Sequence, residues 1–289
     1  MEWIEHLNDA ICYIEEHITE KIDYEQLAKI ANCPAYHFQK MFFYMTNITL
    51  SEYIRRRRMS LAAVDLQKKQ VKVIDIALKY GYDSPTAFNR AFQSIHGIAP
   101  SLAKKENVSL KSYPAIKFSL SVHGMEEINF RIERKKPFKI VGISCRLSRK
   151  LEENFSNIPH EWEKALNNGT LSQLNTLMNQ QPFGLLGISV HHTKDWRYFI
   201  AVSSTEVDER FEEYDIPAAT WAIFSGSGTN RSLQDLERRV ITEWLPTSGY
   251  VYAEIPDIEV YIKADPNDAV YEYWLPVTKT DKEEKNGNF

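Results

Sequence analysis

The stretch "IALKYGYDSPTAFNRAF", residues 76–92, decides how the first third of this chain folds. It reads as a short apolar-periodic helix, a turn, and a second helix. Gly81 suits the turn, Ser84 is placed to cap the second helix, and Pro85 fits its first position, where a missing N–H is no loss. With Ala87, Phe88, Ala91 and Phe92 turned inward, Thr86, Asn89, Arg90 and Gln93 stand at helical spacing on the outward side. Helix, turn and helix in that order, with a polar outer face on the second, is helix-turn-helix grammar.

Upstream, "LAKIANCPAYHFQKMF" (27–42) is an earlier copy of the same unit. Ala28 answers Ala77, Phe38 answers Phe88, Lys40 answers Arg90 and Phe42 answers Phe92, with one extra residue in the second turn. Between the copies, "LSEYIRRRRMSLAAVDLQ" (50–67) holds no Gly or Pro and predicts one connecting helix. Such a helix could hold two recognition helices near the ~34 Å spacing of successive major grooves on one DNA face. In the first unit Tyr36, Gln39 and Lys40 take the outward places, and in the second Thr86, Asn89 and Arg90 do. These are residue types that read base edges: Arg takes guanine O6 and N7, Gln or Asn pairs with adenine, and a Thr methyl meets thymine. The same faces could also be plain solvated surface. Arg55, Arg56, Arg57 and Arg58 turn by 100° per residue and cannot all point one way. Some should reach DNA phosphates, for which Arg55 and Arg57 are the candidates, and some intramolecular carboxylates.

Charge supports this division. The 289 residues carry a net −4, yet residues 36–110 hold 12 basic and 5 acidic side chains, a net +7 inside an otherwise acidic chain. One segment is suited to a polyanion while the rest avoids it. With 43% hydrophobic and 12% aromatic residues, the chain can fill more than one core, and two domains are expected. "MEWIEHLNDA" has neither the basic nor the apolar region of a leader, and no 18-residue apolar span appears in the first third, so a cytoplasmic protein is expected. Cys12, Cys33 and Cys145 lie far apart without CxxC spacing, which predicts reduced thiols rather than disulfides or a zinc site.

After "SLAKKENVSLKS" the texture changes to strands: "AIKFSLSV", "FKIVGIS", "FGLLGIS", "WRYFIAVS", "TWAIFSG", "IEVYI" and "YEYWLPV" are rich in aromatic and β-branched residues. With helices near 152–179 and 232–245, the order is βαββ written twice. Two such units leave a groove for a small molecule. In "DIEVYI", alternation places Glu259 on the face of Tyr261, and in "YEYWLPV" Glu272 shares a face with Trp274. A carboxylate among aromatic rings attracts a lipophilic cation, although a Glu on the polar face of a strand can equally meet water. Trp221 and Tyr198 lie in strands flanking the expected groove and complete the candidate pocket. Trp162, Phe183 and Trp244 are expected in the core. His191 and His192 are adjacent in a strand and project to opposite faces, so they predict no shared metal.

Residues from about Ile4 to Lys105 resemble the AraC/XylS DNA-binding domain. The resemblance is carried by "DYEQLAKIANCPAYHFQKMF", "EYIRRRRMSLAAVDL" and "VIDIALKYGYDSPTAFNRAFQSIHGIAPS", with Phe92, Gly97 and Pro100 in the signature positions. It implies recognition helices at roughly 34–45 and 85–95, with the two triplets named above at the first and second groove. Residues from about Glu127 to Lys279 resemble the GyrI-like effector-binding domain through "INFRIERKKPFKIVGIS", "PAATWAIFSGSG", "TEWLPTSGYVYAEIPDIEVYI" and "YEYWLPV". That likeness implies that Glu259 lies at the floor of the groove. The expectation is therefore an all-α tandem helix-turn-helix domain over 1–108 and a duplicated βαββ α+β domain over 112–289. Functionally it is a DNA-binding transcription regulator, an activator by resemblance, with RNA polymerase and a small hydrophobic or cationic effector as partners. It needs no cofactor and no metal. Two alternatives stay open: a hydrolase of a small electrophile, with Glu259 as base and Glu272 assisting, or a protein-interaction module. The sequence leaves monomer or dimer open.

Overall fold

The computed structural model describes residues 2–68, 71–105, 107–119, 127–191, 195–206, 208–265 and 267–279. His192 lies outside them. The chain divides into two compact units, Met1–Val122 and His123–Phe289.

The first unit contains, among the described residues, six helices: α1 (Glu2–Glu16), α2 (Tyr24–Ile30), α3 (Ala35–Thr46), α4 (Leu50–Leu66), α5 (Val73–Lys79) and α6 (Pro85–His96). Local chemistry sets their ends. Asp23 accepts the backbone N–H groups of Glu25 and Gln26 at the start of α2, Thr49 accepts that of Glu52 at the start of α4, and Ser84 accepts that of Ala87 at the start of α6. Asn47 and Gly97, both left-handed (φ 56° and 77°), close α3 and α6. Met59, Ala62, Ala63 and Leu66 of α4 pack on Ile76, Ala77 and Tyr80 and on Phe88, Phe92 and Ile95 of α6. Ala87, expected inward, is exposed, because the buried stripe of α6 runs through Phe88, Phe92, Ile95 and His96.

Two expectations near the end of this unit are corrected. Residues 115–119 form no strand, and 120–122 lie outside the described residues. The second domain does not begin at 112, because the backbone of Lys111, Tyr113, Ile116 and Phe118 is bonded to side chains of α1, α4 and α6.

The second unit is an antiparallel sheet flanked by helices. Its strands are β1 (Phe130–Lys135), β2 (Phe138–Arg146), β3 (Leu185–His191), β4 (Trp196–Ser203), β5 (Glu212–Ile216), β6 (Ala219–Gly228), β7 (Tyr250–Tyr252), β8 (Ile258–Lys263) and β9 (Ala269–Lys279). Helices α7 (Leu151–Asn167) and α8 (Thr170–Leu177) follow β2, and α9 (Asn230–Arg239) follows β6. The sheet order is β1-β6-β9-β8-β3-β4-β2-β5, with β7 paired to β9. The two βαββ repeats meet at the central β8–β3 pair. Strands β1, β5 and β7 were not foreseen: "FRIERK" and "EEYDI" are too charged to carry an apolar alternation, as suits edge strands.

These edge strands are exchanged between the repeats. β1 precedes β2 but pairs with β6, and β5 precedes β6 but pairs with β2. Each exchange is made by two residues, Lys136–Pro137 and Pro217–Ala218. Three Cα steps span at most about 11 Å, so the opposite edges of the sheet must curl toward each other. The enclosed face holds one core of Ile140, Leu186, Ile188, Phe199, Ile216, Trp221, Ile223, Ile258, Val260 and Trp274. The outer face carries the helices, with Phe224, Tyr271, Tyr273 and Leu275 packed under Leu233, Val240 and Trp244. Phe183, expected in the core, is exposed instead.

Candidate functional site

In the first unit, α6 presents the face the sequence promised. Thr86, Arg90 and Gln93 are exposed and Asn89 is half-buried. Arg55, on α4, reaches the same surface: its Nη1 donates to Ser94 of α6 (2.8 Å), while Nε holds Glu52 (2.7 Å). Here is a row of donors of the kind that meets a groove and its flanking phosphates.

The first helix-turn-helix differs. Tyr36, Gln39 and Lys40 are 5, 3 and 8% exposed. They do not face outward, and the expectation that they stand free for a groove is corrected. Phe38, Met41 and Phe42 form the core side of α3, and His37, Gln39 and Lys40 on the remaining arc are buried as well. Gln39 Nε2 turns back to the Ala35 carbonyl (3.4 Å), and Lys40 Nζ lies 6.0 Å from the Tyr44 ring centroid.

Arg57 is corrected as well. It is an internal clamp, with Nη2 on Glu15 Oε2 (2.6 Å), Nε shared between both oxygens of Glu15, and Nη1 on the Tyr113 carbonyl. Glu15's carboxyl is held below its usual range, burial notwithstanding, by its bonds to Arg57 and Tyr53. Arg58 donates to the Ile18 and Glu20 carbonyls, and Arg56 holds Glu52 (2.6 Å). The arginine run therefore mostly ties helices together.

In the second unit, Glu259 of β8 stands on the helix-covered outer face. Tyr261 OH donates to its Oε2 at 3.0 Å and Tyr198 OH, from β4, at 3.4 Å. Trp162 of α7 donates its Nε1 to Tyr198 OH (3.0 Å) and sets its ring edge-on to Tyr261, centroids 5.2 Å apart. Burial, and after it the charge of Glu259, pushes the Tyr261 hydroxyl well above the usual tyrosine range, so it stays a neutral donor. Glu237 of α9, itself buried, adds to the negative potential at that hydroxyl. Beneath them lies Gly187 of β3, directly opposite Glu259 in the ladder. A Cβ there would come within 2.3 Å of Tyr198 OH and 2.8 Å of Glu259 Oε2. The arrangement is a carboxylate fixed by two hydroxyls within an aromatic wall.

Three sequence candidates are not part of it. The ladder pairs Val260, not Glu259, with Glu272, so Glu272 points to the enclosed face. There it accepts Trp274 Nε1 (2.8 Å) and pairs with Arg131 (2.8 Å). Trp274 and Trp221 pack in the enclosed core with ring planes tilted by 57° and centroids 5.8 Å apart. Glu272 is thus no assistant to Glu259, and the two-carboxylate arrangement of the hydrolase alternative is not made. Trp162 and Gly187 were missed as site residues. Gly187 carried one signal, a glycine inside the apolar strand "LLGIS", which marks a close approach of other atoms. Trp162 carried none. Among the described residues, no cluster of His, Cys, Asp and Glu could hold a metal ion, and no helix is long and apolar enough to cross a membrane.

Comparison with known proteins adds independent findings. A family described as GyrI-like small molecule binding domain matches residues 128–278, and one described as helix-turn-helix domain matches 27–106. The HTH-type transcriptional activator AarP of Providencia stuartii is 38% identical over 96 residues, 33% of this chain and 71% of AarP. The regulatory protein SoxS of Escherichia coli (strain K12) is 37% identical over 95 residues, 33% of this chain and 89% of SoxS. Among solved structures, SAV2435 bound to tetraphenylphosphonium aligns with a TM-score of 0.46 at 17% identity, over 52% of this chain and 94% of that one.

Proposed function

Because the chain belongs to the AraC family of DNA-binding transcription regulators and carries a C-terminal GyrI-like domain, we propose that it is a one-component activator whose second unit binds a small lipophilic cation. The helical unit contacts DNA through α6, with Arg90, Asn89 and Thr86 on base edges and Arg55 on phosphate. At the promoter it recruits RNA polymerase, in keeping with AarP, a transcriptional activator.

The observation that carries the effector reading is the setting of Glu259. Hydrogen bonds from Tyr198 and Tyr261 favour its charged form, whereas an unpaired carboxylate in an apolar wall would take up a proton. A cation that enters offsets that charge and gains about 0.5–2 kcal/mol from ring faces. A neutral analogue of the same shape gains only area, and an anion is repelled. Selectivity by charge rather than by shape is the expected signature.

Titration of intrinsic tryptophan fluorescence with matched lipophilic cations, neutral analogues and anions tests this directly. Saturable quenching by cations, abolished in Glu259→Gln, is expected, since Trp162 abuts the site. Equal response to all three classes, or cation binding that survives Glu259→Gln, overturns the reading.

A further inference from the structure

The segment that leaves the helical unit has no regular secondary structure, yet its backbone is held at every second or third residue. Lys111 N–H donates to His96 Nδ1 (3.2 Å), Tyr113 N–H to Ser60 Oγ (2.9 Å), Ile116 N–H to Tyr53 OH (3.3 Å) and Phe118 N–H to Asn8 Oδ1 (2.8 Å). Two carbonyls are bound as well, that of Tyr113 by Arg57 Nη1 and that of Phe118 by Asn8 Nδ2 (3.1 Å). Rings reinforce the polar anchors: Arg56 lies 5.0 Å from the Tyr113 centroid, and Phe118, buried, meets Phe42 edge-on at 6.1 Å.

The partners are spread in a telling way. Asn8 is on α1, Phe42 on α3, four anchors are on α4, and His96 is on α6. One strap therefore touches the second helix of each helix-turn-helix unit, α3 and α6, and the connector between them. Every one of its bonds goes from strap backbone to a helix side chain, so the strap can detach without breaking any helix. Its far end runs by chain continuity toward the second unit, which begins at 123. A pull at that end must first undo the Phe118–Asn8 pair, then the Tyr53 and Ser60 anchors, and last the His96 anchor at α6.

From this we infer that residues 110–118 are the coupling strap of the regulator: docked, it sets the relation of α3, α4 and α6, and effector binding acts on DNA affinity by changing how firmly it is docked. The coupling half of this inference rests on the effector reading above; the control of DNA affinity does not. Two full-length variants release the strap from opposite sides: Asn8→Ala with Ser60→Ala removes helix anchors, and Tyr113→Ser with Phe118→Ser removes strap anchors while leaving the helices untouched. The DNA is the duplex that the full-length protein selects from a random pool, and the effector probe is the cationic dye rhodamine 6G.

Both variants are expected to change affinity for that duplex at least about fivefold, the lower end of ordinary allosteric coupling. In the wild type the dye should alter DNA affinity by about 5–150-fold, and in both variants by less than twofold, with dye affinity itself little changed. DNA affinity unchanged by either release overturns the inference whatever the dye does. A dye effect of wild-type size in the released variants overturns the coupling. If the dye does not bind while release still shifts DNA affinity, the cation reading fails and the strap's hold on DNA affinity stands.

Discussion

Gly187→Ala is the sharpest probe of the Glu259 site, because it adds one methyl group at the place where three functional atoms converge. That methyl carbon would lie 2.3 Å from Tyr198 OH, 3.2 Å from Tyr198 Cζ and 2.8 Å from Glu259 Oε2. Gly187 sits in the centre of a sheet with β8 on one side and β4 on the other, so its own backbone cannot retreat. The Tyr198 ring has to move, and with it go the bond to Glu259 and the bond from Trp162. Overpacking of this kind costs about 1–3 kcal/mol, and a lost bond to a carboxylate roughly 1.5–3 kcal/mol. Because the two losses share one displaced ring, we expect about 2–4 kcal/mol in total, a fall of about 4–16 °C in the melting of the second unit. Near-ultraviolet circular dichroism against temperature reads this, and a DNA-binding assay at 25 °C should show the first unit intact. The double variant Gly187→Ala with Tyr198→Phe removes the hydroxyl at 2.3 Å and leaves the ring carbon at 3.2 Å and Glu259 Oε2 at 2.8 Å, the latter at the far end of a side chain freed from the Tyr198 bond and able to shift. The overpacking part of the loss should return, whereas the missing hydroxyl bond to Glu259 keeps the double variant less stable than the wild type and cation binding is not restored. If Gly187→Ala melts within 1 °C of the wild type, or Tyr198→Phe gives no rescue, the hydroxyl is not where we place it.

Two further outcomes follow from the helical unit. Arg90→Ala should reduce discrimination between the selected duplex and random DNA by about 1–3 kcal/mol, whereas Gln39→Ala should lower the melting temperature and leave base preference unchanged; relaxed preference in the Gln39 variant, read by competition binding, would mean that α3 meets the groove after all. His96 makes stability depend on pH. Its Nδ1 accepts from Lys111 and its Nε2 faces the Met59 carbonyl (3.1 Å), so the folded ring is neutral with its proton on Nε2, and burial holds its pKa below the ordinary 6.5. As pH falls below 6.5 the unfolded chain takes a proton that the folded ring refuses, and stability drops. Urea midpoints at pH 7.5 and 5.5 should separate in the wild type and converge in His96→Gln; equal separation in both would remove His96 as the cause.

How far the sequence could be read follows from how far apart the deciding residues lie. The start of α6 rests on Ser84 acting within three residues, and the repeated turn-helix pattern of 27–42 and 76–92 is local in the same sense. So is the alternation that sets Glu259 beside Tyr261, and Glu272 beside Trp274. Each of these was legible because side-chain direction within one helix or strand repeats with a fixed period.

What the sequence could not decide was which face meets which partner. That Glu259 and Glu272 part company depends on the β8–β9 register, where one residue of slip would exchange the two faces. Arg57 finds Glu15 across 42 residues of chain rather than a phosphate, and Trp162 arrives at Tyr198 from a helix whose pattern marks only its buried side. Tyr36, Gln39 and Lys40 bear the residue types of a reading face and are nonetheless buried. Chain-local geometry determined the elements and the direction of each side chain within them; only packing between elements, a matter of area buried and charges paired, decided which of those side chains gather into a site.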